Sequence, residues 1–362
     1  MKRIFSLLLT CLLLTGAAAA SGESADPPDE EPPGWLEIKP REELPVEEPA
    51  EPEPEEEPGF DLVVSVAGDV MLASYKNETA ASNFNAYANR EEPAYFLQNV
   101  RSIFEADDLT VVNLENVLTD RKLAEKEKSH DPAYWYCSRT SNTEILTACG
   151  VEAVSLANNH TGDYGPEGSR DTVKAVEKAG LLYGSNGKTF YFEKNGYRVA
   201  VICHGLWNEG QAGEIVRRIH EAEEDSDFQI VFYHGGKEKV HEPEPWRQRA
   251  SRRLADEGAD LVIGNHPHVL QPRETYNGVD IVYSMGNFCY GGSKYPENRT
   301  IIYQLRLHIG PDGRLESKTG EIIPCYVYTG DGGNNYCPGV IGDAETRQRV
   351  LDFMDGKRKS PL

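Results

Sequence analysis

Five short apolar runs recur along this chain, and each ends in a small polar cluster. Residues 63–67 precede Gly68-Asp69, 109–112 precede Asn113-Leu114-Glu115-Asn116, and 153–157 precede Asn158-Asn159-His160. Residues 229–233 precede His234-Gly235-Gly236, and 259–263 precede Gly264-Asn265-His266-Pro267-His268. Each run is about five residues long, mostly rich in β-branched side chains and without polar alternation, the pattern of a strand buried on both faces. Between the runs the spacing predicts helices over 93–106, 141–149, 166–179, 211–224 and 246–257, with Pro166 opening the third and Gly180 closing it. This alternation predicts an α/β fold with a mostly parallel sheet and helices on both faces. Ligands of such sheets gather at the carboxyl ends of the strands, and all five polar clusters fall on that edge. Asn195-Gly196, inside two β-like runs over 184–201, predicts a hairpin. Residues 281–283, 300–308 and 321–328 read as further strands, the last two joined by a turn at Gly310-Pro311-Asp312-Gly313, and they are expected to complete a second sheet.

Taken singly, Asp, Asn and Gly after a strand are ordinary turn residues. Together the clusters offer Asp69, Glu115, Asn159, His160, His234, His266 and His268 at one edge. Carboxylate, amide oxygen and imidazole form a ligand set for one or two divalent ions of the Mn, Fe or Zn kind. Ions so held activate water and stabilise charge at an attacked centre. His266 and His268 stand at i, i+2 past a strand, so a sharp turn there would aim both imidazoles at one point.

Gly68-Asp69-Val70-Met71, Asn113-Leu114-Glu115, Ala157-Asn158-Asn159-His160, His234-Gly235, Gly264-Asn265-His266-Pro267-His268 and Ser284-Met285-Gly286-Asn287-Phe288 resemble the ordered motifs of the CapA family of capsule and poly-γ-glutamate biosynthesis proteins. The resemblance covers about 61–290. It implies a four-layer α/β/β/α sandwich similar to calcineurin-like metallophosphoesterases. It implies one metal on Asp69, Glu115 and His268, and a second on Glu115, Asn159, His234 and His266, with Glu115 bridging. His160 would be the outer acid that protonates a leaving group. Two positions depart from the metallophosphoesterase pattern: Met71 stands where an imidazole is usual, and Glu115 where an Asp is usual. A thioether is a poor ligand for a hard ion, so loss of catalysis, leaving a polymer-binding protein or an accessory subunit of a membrane synthase, is the alternative to hydrolysis.

Composition changes the picture mainly at the N-terminus. Lys2-Arg3, an apolar stretch from Ile4 to Leu14 and the small residues Ala17 to Ala20 read as a signal peptide over 1–20. The rival, an uncut anchor, needs about 20 apolar residues. Residues 21–59 read as an extended acidic linker: from 22 to 59 there are 15 acidic residues against Lys39 and Arg41, with ten prolines. This tract supplies more than half of the net charge of −22. It is a spacer holding the domain off a membrane or wall, or a solvated tail without a partner. The domain then runs from 60 to 330, with a C-terminal extension over 331–362. No basic stripe is present, which argues against nucleic acid. An exported, envelope-associated protein facing an extracellular anionic polymer is the expectation. Export permits disulfides, and Cys325 with Cys337 is the first pair to test. There is no Cys-x-x-Cys, nucleophile elbow, phosphate loop or dinucleotide fingerprint.

Overall fold

The computed structural model describes residues 58–362 apart from 76, 77, 79, 130 and 131, so the expected signal and nearly all of the linker lie outside it. In chain order the first half comprises β1 (Phe60–Met71), α1 (Phe84–Ala88), α2 (Arg101–Phe104), β2 (Leu109–Leu114), β3 (Val117–Leu118), β4 (Cys137–Ser138), α3 (Thr143–Thr147), β5 (Ala153–Ser155), α4 (Gly165–Lys178) and β6 (Leu182–Gly184). Then come β7 (Phe190–Lys194), β8 (Tyr197–Gly205), α5 (Ala212–Glu223), β9 (Phe228–His234), α6 (Pro245–Asp256), β10 (Leu261–Asn265), β11 (Leu270–Tyr276) and β12 (Val279–Met285). The chain closes with β13 (Asn287–Tyr290), β14 (Thr300–Ile309), β15 (Leu315–Tyr326), β16 (Gly339–Val340) and α7 (Ala344–Met354).

Two sheets hold most of these strands. One runs β16-β15-β14-β1-β2-β5-β6, and the other runs β11-β12-β10-β9-β8-β7. In the first, β1, β2, β5 and β6 are parallel and β14 to β16 add antiparallel strands on the other side of β1; in the second, the centre is parallel and the two edge strands are antiparallel. Because side chains alternate across a strand, β1 sends Leu62, Val64 and Val66 into one core and Ala67 into another, and a register shift between Ala67 and Asp69 brings Val70 to the Ala67 side. The first core lies between the sheets, where those residues meet Phe228, Ile230 and Phe232 of β9. The second joins the outer face of the β1 sheet to Ile145 and Leu146 of α3 and to Ala175 and Val176 of α4. The third joins the outer face of the β9 sheet to Ile215 and Ile219 of α5 and to Ala250 and Leu254 of α6. These three cores make a four-layer α/β/β/α sandwich, as expected. Each large apolar side chain sealed in this way contributes about 1.5–3 kcal/mol.

Several elements differ from the sequence reading. β14 and β15 join the first sheet, not the second, because β1 needs a ladder on the side away from β2, and β14 pairs with it from Phe60 to Ala67. The helix expected over 93–106 is broken into a 3₁₀ turn, Pro93–Phe96, and the single turn of α2. At the break the amides of Gln98 and Asn99 turn to Cys337 Sγ, at 3.8 and 3.1 Å. The stretch over 141–149 likewise splits into a 3₁₀ turn and α3. No disulfide joins Cys325 to Cys337: the six cysteines among the described residues are free. Cys325 faces the Ile323 carbonyl and Cys337 that of Tyr95. The hairpin at Asn195-Gly196 forms with both residues at positive φ, 50° and 81°, as a tight turn matched to strand twist requires.

Residues 331–362 are woven into the cores. Tyr336 is buried in the helix-side core, β16 pairs with β15, and α7 places Val350, Phe353 and Met354 in the inter-sheet core. Among the described residues, no helix is long and apolar enough to cross a membrane.

Candidate metal centre

The five polar clusters converge at the carboxyl ends of parallel strands from both sheets. Asp69 lies near the end of β1, Glu115 just past β2, Asn159 and His160 past β5, His234 at the last position of β9, and His266 and His268 past β10. β1 can carry Asp69 there because Gly68 passes so close to Gly286 that a Cβ would stand 2.0 Å from its carbonyl oxygen. The Asp69 N–H donates to that same carbonyl at 2.9 Å. After β10 the backbone is left-handed rather than extended: His266 has φ 98° and His268 φ 59°. Both are strained for residues with a Cβ.

The side chains form one buried cluster. The Asp69 carboxylate lies 3.2 Å from His268 Nδ1 and 3.6 Å from His234 Nδ1, and accepts the His266 backbone N–H at 3.2 Å. Glu115 Oε1 lies 3.4 Å from His234 Nε2 and 3.8 Å from His268 Nε2. Asn159 Oδ1 is 2.8 Å from His234 Nε2, which is 3.1 Å from His266 Nδ1. Two groups of ligand atoms are each drawn within 4.8 Å of one another: Glu115, His266 and His268, and Asp69, Glu115 and His234. Glu115 belongs to both. This grouping places Asp69 with His234 and His268 with His266, a different division from the one the resemblance implies.

Glu115 is fully buried, and neither of its carboxylate oxygens has a hydrogen-bond donor. Burial opposes its ionisation, but the neighbouring charges of His268 and His234 outweigh burial and hold its pKa low. Burial likewise opposes protonation of His268, and there Glu115 and Asp69 prevail, raising it to about 9. His266, buried and facing two other imidazoles, is pushed down to about 2. An unpartnered buried carboxylate beside unprotonated imidazole nitrogen suits a cation.

A ring of residues that the sequence reading did not single out holds this cluster. Asn113 Nδ2 donates to Asp69 Oδ1 at 2.8 Å and lies 3.1 Å from His234 Nδ1, while its Oδ1 accepts from Asn158 Nδ2 at 3.0 Å. Asn287 Oδ1 lies 3.0 Å from His268 Nδ1. Trp207, 40% exposed, sets its ring edge-on to His266 at 5.0 Å and His234 at 5.7 Å. Asn113, Asn158 and Asn287 lie inside the motifs, but no periodicity marks them as supports.

His160 stands apart from the two groups. Its Nδ1 is 2.8 Å from Asp163 Oδ2, Lys128 Nζ reaches Asp163 Oδ1 at 2.6 Å, and the Tyr136 N–H donates to Asp163 at 2.9 Å. Met71 is fully buried among Ala73, Tyr136, Tyr290 and Val327. Tyr136 is buried and Tyr134 is exposed at the cleft. His220 and His308 pair with surface carboxylates, His241 with Glu297, and His204 with a carbonyl.

Carboxylate and imidazole side chains thus meet at the joined strand ends of an α/β/β/α sandwich, in two groups that could hold a metal ion. The chain belongs to the bacterial capsule synthesis protein family PGA_cap, whose model matches residues 63–291. Among curated relatives it is 27% identical over 274 residues to the capsule biosynthesis protein CapA of Bacillus anthracis, a match covering 68% of this chain and 64% of that one. It is also 27% identical over 277 residues to the PGA biosynthesis protein CapA of Bacillus subtilis, covering 70% of each. The chain thus spans just under two thirds of the first relative's length. Among solved structures, a 5′-nucleotidase precursor from Thermus thermophilus aligns with TM-score 0.42 and 12% identity over 73% of this chain and 54% of that one. An NAD nucleotidase from Haemophilus influenzae aligns with TM-score 0.42 and 11% identity over 83% and 63%.

Proposed function

We propose that this chain is an exported, envelope-associated protein that acts in making or processing a capsule-type anionic polymer of the poly-γ-glutamate class, by metal-dependent hydrolysis. The observation that carries the reading is Glu115, sealed from water, without a donor on either oxygen, and shared by two groups of ligand atoms. Asp69, Glu115, His234, His266 and His268, with the Asn159 amide oxygen, would hold one or two divalent ions of the Mn, Fe or Zn kind. Bound ions supply Lewis acidity and lower the pKa of water. The rest falls to the chain itself. Asp163 fixes His160 through Nδ1, which leaves Nε2 to pass a proton to the departing group. Asn113 and Asn287 keep Asp69 and His268 turned inward.

The test is to express the full chain, supply Mn or Zn, and measure metal content by mass spectrometry beside cleavage of poly-γ-glutamate. Bound metal, cleavage that stops with chelator, and loss of cleavage in His160→Ala support the reading. A chain that takes up no metal sinks it. Met71 favours a second reading, a binding protein or an accessory subunit of a membrane synthase, since a sealed thioether replaces an imidazole ligand. In that case polymer affinity survives His160→Ala, and a synthase partner co-purifies.

A further inference from the structure

Two cavities open beside the metal centre. One, of about 550 Å³, is lined by Lys126, Asn159 and Asp163 among others. The other, of about 600 Å³, is lined by Tyr75, His268, Tyr290, Lys294 and Tyr295 among others. They share Tyr134, His160, Glu238 and Lys239, so they meet at the residue that would pass the proton. Each alone has the size of a site for a small ligand. Both are open to solvent, and the shared residues join them into two arms beside the centre.

The charge along these arms is specific. Lys128 is committed to Asp163 and to the Tyr134 carbonyl. Among the described residues, the ammonium groups of Lys126, Lys239 and Lys294 have no carboxylate within 4.0 Å. In a protein of net charge −22, one such lysine therefore lies in each arm and one at the junction. Glu127 and Glu238 also face the groove, while Glu297 is held by His241 at 3.2 Å. Tyrosine faces make up the second arm: Tyr75 and Tyr134 meet edge-on at 5.9 Å, and Lys294 lies 5.3 Å from the Tyr295 ring. Ammonium groups spaced between aromatic faces match a repeat in which carboxylates alternate with short aliphatic stems.

We propose that the two cavities are one groove that holds a linear, carboxylate-bearing chain across the centre, with Lys126 and Lys294 each pairing a carboxylate in opposite arms. The cut then falls inside the chain, and this part rests on the hydrolase reading. Each cut consumes one water: its oxygen bonds to the acyl carbon, the C–N bond breaks, and the departing nitrogen takes a proton. Both products remain chains.

The test uses the full chain and fluorescently labelled γ-glutamyl oligomers, from dimers to long polymers, with anisotropy as the binding readout. Affinity should rise with length until both arms are filled. Lys126→Ala and Lys294→Ala should each weaken the long chain by about two- to fivefold, and the double variant by the product of the two. Thermal unfolding checks that each variant folds. Affinity that ignores length, or lysine variants that bind as the parent does, would overturn the proposal. So would equal binding of an uncharged glycan of the same length. With Mn supplied, an end-labelled polymer should give fragments of intermediate length first, and release of single terminal units alone refutes internal cutting. Length-dependent, lysine-dependent binding with no cleavage under any metal would sink the hydrolase reading and leave the groove assignment standing.

Discussion

Replacing Glu115 by Gln separates a metal centre from a merely polar cavity. The carboxylate belongs to both groups of ligand atoms, and Gln keeps its shape while removing the anion. In the parent, a divalent ion at a hundred times its Kd stabilises the folded chain by about 2.7 kcal/mol through mass action. A fold of about 300 residues unfolds with an entropy of about 0.6 kcal/mol/K, so its Tm should rise by about 4–5 °C. Even outer partners of a metal site contribute up to about a hundredfold in affinity, so an anion lost from both groups should cost at least that. At the same concentration the variant would be no more than half-saturated, stabilised by about 0.4 kcal/mol, with a Tm rise under about 1 °C. The assay is thermal unfolding with and without MnCl2. Each protein is compared with its own metal-free sample, which cancels any effect of the amide on the empty fold. Equal Tm rises in parent and Glu115→Gln would refute the reasoning, because the shared carboxylate would then have no part in holding the ion.

Asp163→Asn should slow polymer cleavage about a hundredfold while leaving the Mn-induced Tm rise intact; unchanged turnover would show that His160 needs no orienting carboxylate. Gly235→Ala would put a Cβ 1.8 Å from the Leu206 carbonyl oxygen, so the turn behind His234 must shift. A loss of about 1–3 kcal/mol in urea unfolding and a weaker Mn response are expected, and an unchanged midpoint would contradict this. At the opposite strand ends, burial raises Glu152 to about 7 and Asp107 to about 6, with the Asp107 charge adding to the first shift and the Asp108 charge to the second. Both folded values lie above the ordinary 4.5 and 3.8, so their contribution is complete below those values and is lost as pH climbs through 6 to 7. Glu152→Gln keeps an acceptor for the Thr110 N–H and should flatten this decline between pH 5 and 8; parallel stability profiles for the two proteins would disprove it.

The strands that carry the centre were legible because each is a mostly apolar run sealed on both faces, broken only by single residues such as Ser65 and Thr110, and closed by a cluster of polar ones. Sheet membership of β14 was not, since Thr300 to Ile309 would pack equally well on either sheet and only the ladder with β1 decides. The broken helix over 93–106 followed from distant partners at Cys337, which local propensity does not sense. The meeting of Asp69, Glu115, Asn159, His234, His266 and His268 at one edge followed from strand polarity. The left-handed backbone at His266 and His268 did not, because Pro267 suggests a turn without fixing its hand. Asn113 meets His234 only once both sheets are stacked, and Asp163 and Trp207 lie in loops where no periodicity marks the imidazoles they touch.

The order of strands also sets a clock. β1 opens the described fold, yet its ladder partner β14 lies some 240 positions on, with Phe60 opposite Ile309. The space between the sheets is plugged by Val350, Phe353 and Met354 near the other end of the chain. Contacts so far apart must wait for loop closure and make for slow folding. A polypeptide emerging N-terminus first therefore holds β1 without its ladder partner until β14 follows, and the inter-sheet core is completed only by the last helix. Late closure of the fold is then the consequence of one topological choice, the return of β14 to the side of β1.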